Sequence, residues 1–206
     1  MKAIKKISFI LFLVQAFIFP AVAQDGFNTG AHVSTSFQLM THRNKGTKLW
    51  ASESGYGFSA GVPFRFDYSG ERAFVTALDY EYMAFDNWAN GNLVSSMRLH
   101  SLHIPLQLNF DLISSWYLSA GTGLNYLFRS RVFSYGNSIS IANSINPFQP
   151  YLSLGIGTLS QRGNGLFDLG LQARYHFIDA WRKSYPLYDV TSSKILSIDI
   201  VMRFYF

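Results

Sequence analysis

The C-terminal segment 196–206 alternates between two kinds of side chain. Its even-numbered residues are all apolar, whereas its odd-numbered residues include Asp199 and Arg203. Successive side chains of a β-strand point to opposite faces, so this period of two predicts a strand with one apolar and one polar face. Seven earlier segments alternate in the same way, and the sixth of the eight does so most weakly. The eight segments cover residues 27–39, 56–66, 74–82, 102–110, 116–128, 152–157, 167–177 and 196–206.

Eight strands of about twelve residues suit a closed transmembrane barrel, because twelve residues tilted by about 40° rise about 30 Å. Long connections (41–54, 86–97, 129–147 and 178–193) alternate with short ones (67–72, 111–115 and 161–164). Outer membrane barrels have short periplasmic turns and long external loops. The sequence therefore predicts an all-β fold, an eight-stranded antiparallel up-and-down transmembrane β-barrel in the cell outer membrane, with both termini in the periplasm.

Two prolines, Pro63 and Pro105, fall inside predicted strands. Proline lacks a backbone N–H, and a closed barrel has no free edge at which the missing donor goes unnoticed. We therefore expect a local bulge or a bound water at each of the two positions.

The N-terminus has the three parts of a secretory signal peptide. Three lysines within the first six residues precede an apolar run over 7–19, and an A-x-A cleavage site ends at Ala23. The apolar run is too short to span a bilayer as a helix. Residues 1–23 are therefore expected to be removed, and residues 24–206 are expected to form one barrel domain.

Composition narrows the functional classes. Without the three lysines of the signal peptide, 14 Lys and Arg face 12 Asp and Glu, so the charge balance implies no nucleic-acid partner. The chain has no cysteine, which excludes disulfides and thiolate metal sites. Aromatic residues make up 17% of the sequence, a high share that suits the interfacial girdles of a membrane barrel.

The polar faces of the strands are predicted to line the barrel interior. The strand glycines all fall on these faces, and an eight-stranded barrel has room only for packed side chains inside. The same faces carry charges of both signs, which can pair when they are buried. The predicted polar and charged lining consists of Arg65, Asp79, Glu81, His103, Asp168, Arg174, Asp199 and Arg203.

Two ion pairs are expected within this lining. Asp168 stands near the start of the seventh strand and Arg203 near the end of the eighth, so antiparallel pairing places them opposite each other. The same register puts Asp199 diagonally across from Arg174. These pairs predict a lumen that is plugged by its own side chains.

Four segments resemble the PorT-like outer membrane β-barrel family of the Bacteroidetes: SLHIPLQLNF (101–110), WYLSAGTGLNYLF (116–128), QPYLSLGIG (149–157) and the final SIDIVMRFYF. These segments are glycine and aromatic patterns rather than catalytic signatures. The terminal aromatic residues Phe204 and Phe206 resemble the insertion signal that the barrel assembly machinery reads. The resemblance implies an outer membrane location, and one relative in the family is a component of a secretion and gliding system.

Patterns that would indicate catalysis are weak. His32 and Ser34 resemble the His-x-Ser of lipid A deacylases, but an inward polar lining explains this pair better. Glu81 and His103 can meet across two strands, but two ligands are too few for a metal site, so a hydrogen bond is expected. The sequence therefore predicts no catalytic, metal or cofactor site.

The expected function is a non-enzymatic structural or interaction role, with four loops exposed outside and with a part in an envelope or secretion complex. The alternatives are a narrow pore for small solutes or ions and, less favoured, a lipid-A-modifying enzyme. The expected partners are outer membrane lipid including lipopolysaccharide, whose phosphates suit basic outer loops, the barrel assembly machinery during insertion, and envelope-complex proteins. A monomer is expected.

Overall fold

A computed structural model describes residues 26–44, 50–69, 72–89, 92–134, 136–181 and 190–206. The predicted signal peptide and the predicted mature N-terminus, Gln24, lie outside these residues. The described part of the chain contains no helix that is long and apolar enough to span a membrane. It forms strands β1 (Phe27–Asn44), β2 (Trp50–Ser69), β3 (Arg72–Ala89), β4 (Asn92–Asp111), β5 (Trp116–Ser134), β6 (Asn137–Ser140), β7 (Phe148–Arg162), β8 (Gly165–His176) and β9 (Val190–Tyr205).

Eight of these strands close into a barrel. Hydrogen-bonded neighbours follow the order β4-β3-β2-β1-β9-β8-β7-β5, and a pairing between β4 and β5 completes the circle. The four-residue strand β6 folds back on the last residues of β5. The predicted eight-stranded antiparallel up-and-down barrel is confirmed. We call the end that carries Phe27 and Phe206 the terminal end, and the opposite end the hairpin end.

The strands are longer than predicted at the hairpin end. β2 and β4 each have 20 residues, and β8, the shortest barrel strand, has 12. The connections predicted over 41–54 and 86–97 are therefore largely strand, which leaves 45–49 and 90–91 between strands. The turns at the terminal end are short, as predicted, and cover only 112–115 and 163–164 at two of the hairpins.

The two prolines do not cause the predicted bulges. The β1–β2 register is the same before and after Pro63, and the β3–β4 register is the same before and after Pro105, so neither strand gains a residue. Each ladder instead loses its pairing for two residues beside the proline. A threonine hydroxyl of the neighbouring strand donates to each proline carbonyl, from Thr29 at 3.1 Å and from Thr76 at 2.6 Å.

The apolar faces of the strands lie on the outside over most of the barrel. Leu154, for example, exposes 69% of its surface and Ile200 exposes 49%. Aromatic rings edge this apolar surface at both ends. Phe27 and Phe66 lie 5.1 Å apart at the terminal end, and Tyr126 and Phe148 lie 5.1 Å apart nearer the hairpin end. This distribution is typical of a surface that meets lipid between two interfaces.

The polarity of the two faces is reversed near the hairpin end. There the inward residues are apolar, such as Leu99 and Ile195, and the outward residues are charged, such as Arg98 and Lys194. The inward residues form one cluster, which we call the hairpin-end core. It consists of Met40, Met83, Phe85, Met97, Leu99, Leu127, Val132, Ile141, Ile145, Ala180 and Ile195, with Trp181 packed against it.

Candidate functional site

The polar residues inside the barrel form several separate groups of hydrogen bonds and ion pairs. Nearest the terminal end, Arg65 binds Asp67 at 2.7 Å. The side chain of Arg65 is buried, whereas Asp67 is about one-third exposed. This pair therefore places the buried guanidinium of Arg65 at the terminal end of the barrel, where the carboxylate of Asp67 still contacts solvent.

Asp168 and Arg203 face each other across β8 and β9. Arg203 Nη1 donates to Asp168 Oδ2 at 2.9 Å, and Arg203 Nη2 donates to Gln107 Oε1 of β4 at 2.9 Å. The hydroxyl of Tyr117 donates to the second oxygen of the same carboxylate. Both charged side chains are buried, and both of the arginine's terminal nitrogens and both carboxylate oxygens have partners.

Arg174 joins three strands through two carboxylates. Its Nε and Nη2 bind the two oxygens of Asp199 on β9, each at 2.7 Å, and Nη2 also binds Glu81 Oε1 on β3 at 2.6 Å. Asp199 lies diagonally from Arg174 in the β8–β9 register. Because β8 and β3 are not neighbours in the sheet, the bond to Glu81 crosses the lumen. Asn125 and Ser101 also donate to Glu81.

His103 does not form the predicted hydrogen bond with Glu81. It lies opposite Asp79 in the β3–β4 register, and its Nδ1 is 3.2 Å from Asp79 Oδ2. His32 Nδ1 contacts the same carboxylate oxygen at 2.8 Å. The expectation was wrong by two residues along β3, since Glu81 lies opposite Ser101 instead.

Tyrosine rings inside the barrel are the part of the site that the sequence pattern missed. Tyr151 bonds to His103 Nε2 at 2.5 Å, and the guanidinium of Arg174 lies 5.5 Å from the ring centre of Tyr151. A Cβ placed on Gly123 would lie within 2.7 Å of three atoms of the Tyr151 side chain. Glycines on the inward face are the signal for these rings, because each tyrosine needs a facing position without a side chain.

The hairpin-end core lies beyond the polar set and crosses the lumen. Five barrel strands contribute to it, and so do the connecting segments that contain Ile145 and Ala180. These two segments are tied together by a bridge between Ile145 and Trp181 and by a hydrogen bond from Asn146 N to Ala180 O at 2.7 Å. The core therefore covers the inner polar set with apolar side chains.

The described residues offer little to a reaction or a metal. They contain no group of three or more histidine, aspartate or glutamate side chains placed to hold a metal ion. The hydroxyl of Ser34 bonds to that of Ser59 at 2.7 Å, whereas His32 bonds to Asp79. His32 and Ser34 therefore each bond to a different side chain and not to each other.

The last aromatic residues lie on the outside of the barrel at the terminal end. Phe204 and Phe206 are both exposed, with ring centres 6.1 Å apart. The backbone N–H of Phe206 donates to Thr29 O at 2.9 Å, so the chain remains paired with β1 at this point. The predicted role of these rings in insertion stays a prediction.

A search of protein families matches the family described as outer membrane protein beta-barrel domain over residues 20–177. No curated protein matches the chain. Among solved structures, Neisserial surface protein A has 16% identity and a TM-score of 0.48, with 87% of this chain and 98% of that chain covered. Ail of Yersinia pestis has 12% identity and a TM-score of 0.37, covering 89% and 100%. OprG of Pseudomonas aeruginosa has the same identity and TM-score, covering 87% and 96%.

Proposed function

Because the chain belongs to the family of outer membrane protein β-barrel domains, we propose that it is a non-enzymatic barrel with a sealed lumen. Its role on this proposal is structural: the barrel anchors and presents the external hairpins for interaction with other envelope proteins. The resemblance of its segments to the PorT-like family supports a part as an accessory of an envelope or secretion complex.

The hairpin-end core is the observation that carries this proposal. An eight-stranded barrel has an interior that side chains can fill, so a channel exists only where they leave a path. Here the core crosses the lumen at one level, and the bond between Arg174 and Glu81 crosses it at another. An ion would have to displace apolar side chains at the first level and break a buried ion pair at the second.

The proposed orientation has both termini in the periplasm and the hairpin end outside. Short turns at the terminal end and strands that extend beyond the apolar surface at the hairpin end support it, since outer membrane barrels share this asymmetry. Phe204 and Phe206 would then stand at the periplasmic interface, where the barrel assembly machinery acts during insertion.

A narrow pore is the second candidate, and the polar lining of the inner barrel favours it. Gln107, Ser153 and Gln172 line the lumen together with the ion pairs. On this alternative the hairpin-end core would have to open. Conductance of the purified, folded full chain in planar bilayers separates the two candidates. A sealed barrel gives no discrete current steps under conditions in which a known porin does, and reproducible steps would overturn the proposal.

Orientation is tested by labelling single cysteines in intact cells, since the chain has no cysteine of its own. Ser138 in the outer hairpin and Asn164 in a terminal-end turn are both exposed. A membrane-impermeant maleimide should label Ser138→Cys in intact cells and Asn164→Cys only after the outer membrane is permeabilised. The reverse pattern would overturn the proposed orientation.

A further inference from the structure

Four basic side chains lie together on the outside of β4 and β5 at the hairpin end. Arg98 faces Arg131 in the register of the two strands, and His100 faces Arg129. Like charges placed directly opposite each other destabilise a sheet. Arg98 and Arg131 are such a pair. The imidazole of His100, which is neutral at pH 7, lies opposite a third cation, Arg129, so this concentration of basic side chains is a feature that the fold alone does not explain.

A β-bulge helps to build this cluster. The β4–β5 register shifts between His100 and Ser101, so that Phe128 has no partner of its own on β4. Phe128 and Arg129 are consecutive, yet both are exposed on the outside. Bulges are a common means of turning a side chain toward a site. Here the bulge places an aromatic ring and a guanidinium side by side on the outer surface.

Aromatic side chains border the cluster on the side that faces the apolar surface of the barrel. The hydroxyl of Tyr80 lies 2.6 Å from His100 Nδ1, and the rings of Tyr82 and His100 are 5.3 Å apart. The ring of Phe128 lies 6.4 Å from both Tyr80 and His100. The cluster is thus basic on the side away from the membrane and aromatic on the side toward it.

The positive charge of the cluster is only partly balanced. Asp86 binds Arg98 at 2.8 Å. Within the part of the chain that the structure describes, Arg129 and Arg131 form no ion pair with a carboxylate. Both side chains are exposed. Two guanidinium groups are therefore free to bind an anion from outside the protein.

We propose that Arg98, Arg129 and Arg131 bind a phosphoryl group of a glycolipid in the outer leaflet. Guanidinium groups bind phosphate through paired N–H donors, and the cluster lies where the outer surface changes from apolar to charged. The phosphate would meet the arginines while the acyl chains lie along Tyr80, Phe128 and the apolar surface below. This inference rests on the proposed orientation, in which the hairpin end faces outward.

Binding is measured on the purified, folded full chain in detergent micelles, with diphosphoryl lipid A as the probe. The same lipid after removal of both phosphates and inorganic phosphate are the comparison ligands. Diphosphoryl lipid A should bind at least about tenfold more tightly than the dephosphorylated lipid, because the phosphate contacts dominate. Equal binding of the two lipids would overturn the proposal. Inorganic phosphate that competes at the same concentration as the lipid would also overturn it, by indicating a site for soluble anions.

Arg129→Gln together with Arg131→Gln should weaken lipid A binding by about tenfold, because both unpaired guanidinium groups are lost. Arg72→Gln together with Arg162→Gln is the matched control, since it removes the same charge from exposed positions at the terminal end. An equal loss in both double variants would indicate non-specific attraction and overturn the site. Micelle binding does not depend on orientation or conductance, so failure here is distinct from failure of the proposed scaffold role.

Discussion

Five of the buried charges in this barrel are tolerated because each has a partner of opposite sign. Asp168 is held by Arg203, and Arg174 is shared between Asp199 and Glu81. Removing a charge from water is costly, and the cost is recovered only where the remaining donors and acceptors are also satisfied. Tyr117, Gln107, Asn125 and Ser101 satisfy several of these here.

A double-mutant cycle on Asp168 and Arg203 tests whether the two are partners. Arg203→Met alone leaves a buried carboxylate without its cation and should destabilise the barrel by about 3–5 kcal/mol. Adding Asp168→Leu should restore most of that stability, because no unpaired charge remains. Urea unfolding of the lipid-inserted barrel measures both variants, with the exposed Arg72→Met as control. An equal loss in the free energy of unfolding in the single and double variants would show that the residues are not coupled.

Gly123 is required by the ring of Tyr151 rather than by its own backbone conformation. Gly123→Ala should cost about 1–3 kcal/mol, the usual range for overpacking a filled core, because the new methyl meets Tyr151. Combining it with Tyr151→Leu should cost less than the sum of the two single changes, since the smaller side chain leaves space. Additive losses in the same unfolding assay would argue against the contact.

Strand length shows where the sequence pattern was informative and where it failed. The period of two continues through Arg98 and Leu99 in β4, but there the charged residue lies outside and the apolar one inside. In β5 the bulge at Phe128 and Arg129 shifts the period by one residue, which gives Arg131 and Val132 the same arrangement. The prediction places strands only where apolar residues lie on the lipid-facing side, so it leaves these residues out of the strands. Where a barrel strand extends beyond the membrane, its outer face contacts water and its inner face contacts the apolar core. The two faces of β4 therefore exchange polarity there while the period of two is kept, and the period alone would have extended this strand.

The hairpin-end core should stabilise its own part of the barrel more than the rest. Leu99 is fully buried within it, and Leu99→Ala should cost about 2–5 kcal/mol locally, as large-to-small changes in packed cores do. Hydrogen exchange should accelerate in the hairpin-end amides of β3 and β4, whereas the β8–β9 amides near Asp168 stay protected. Leu106→Ala, at an exposed lipid-facing position of the same strand, is the control. Uniform acceleration would mean that the core is not a separate unit.

Asp179, just after β8, is bonded to residues near the start of β9. Burial alone would raise the pKa of its carboxyl, but hydrogen bonds from Ser192 Oγ at 2.7 Å and from Lys194 Nζ lower the pKa below its usual value. A lowered pKa means that the stabilisation is present at neutral pH and is lost as the pH falls through the folded-state pKa.

Protection of the Ala180 amide, which donates to Ser193 O at 3.0 Å, reports on this contact. Relative to intrinsic exchange rates, protection should be constant near neutral pH and should fall in the acidic range below the usual carboxyl pKa. In Asp179→Asn it should be lower and should not depend on pH. The same acid-dependent loss in Asp179→Asn would assign the effect to another group.

For the barrel as a whole, the number of strands, their order and the inward side of most residues followed from the alternation alone. The hydrogen bonds and ion pairs inside the barrel did not follow from the alternation, because they depend on the register between neighbouring strands. Asp168 and Arg203 could be aligned because Asp168 lies near the start of β8 and Arg203 near the end of β9, and antiparallel neighbours meet start to end. His103 could not be aligned with Asp79 in this way, because an offset of two residues along β3 keeps the same face and exchanges Glu81 for Asp79.

The reversal of polarity along a single strand tests the account most directly. Spin labels at single cysteines in β9 should report lipid at Ile198 and Ile200, with high accessibility to oxygen, and water at Lys194, with high accessibility to a nickel chelate. A label at Ser197, on the inward face, should be accessible to neither reagent. The account is contradicted if the label at Ile200 is open to the nickel chelate while the label at Ser197 reports lipid.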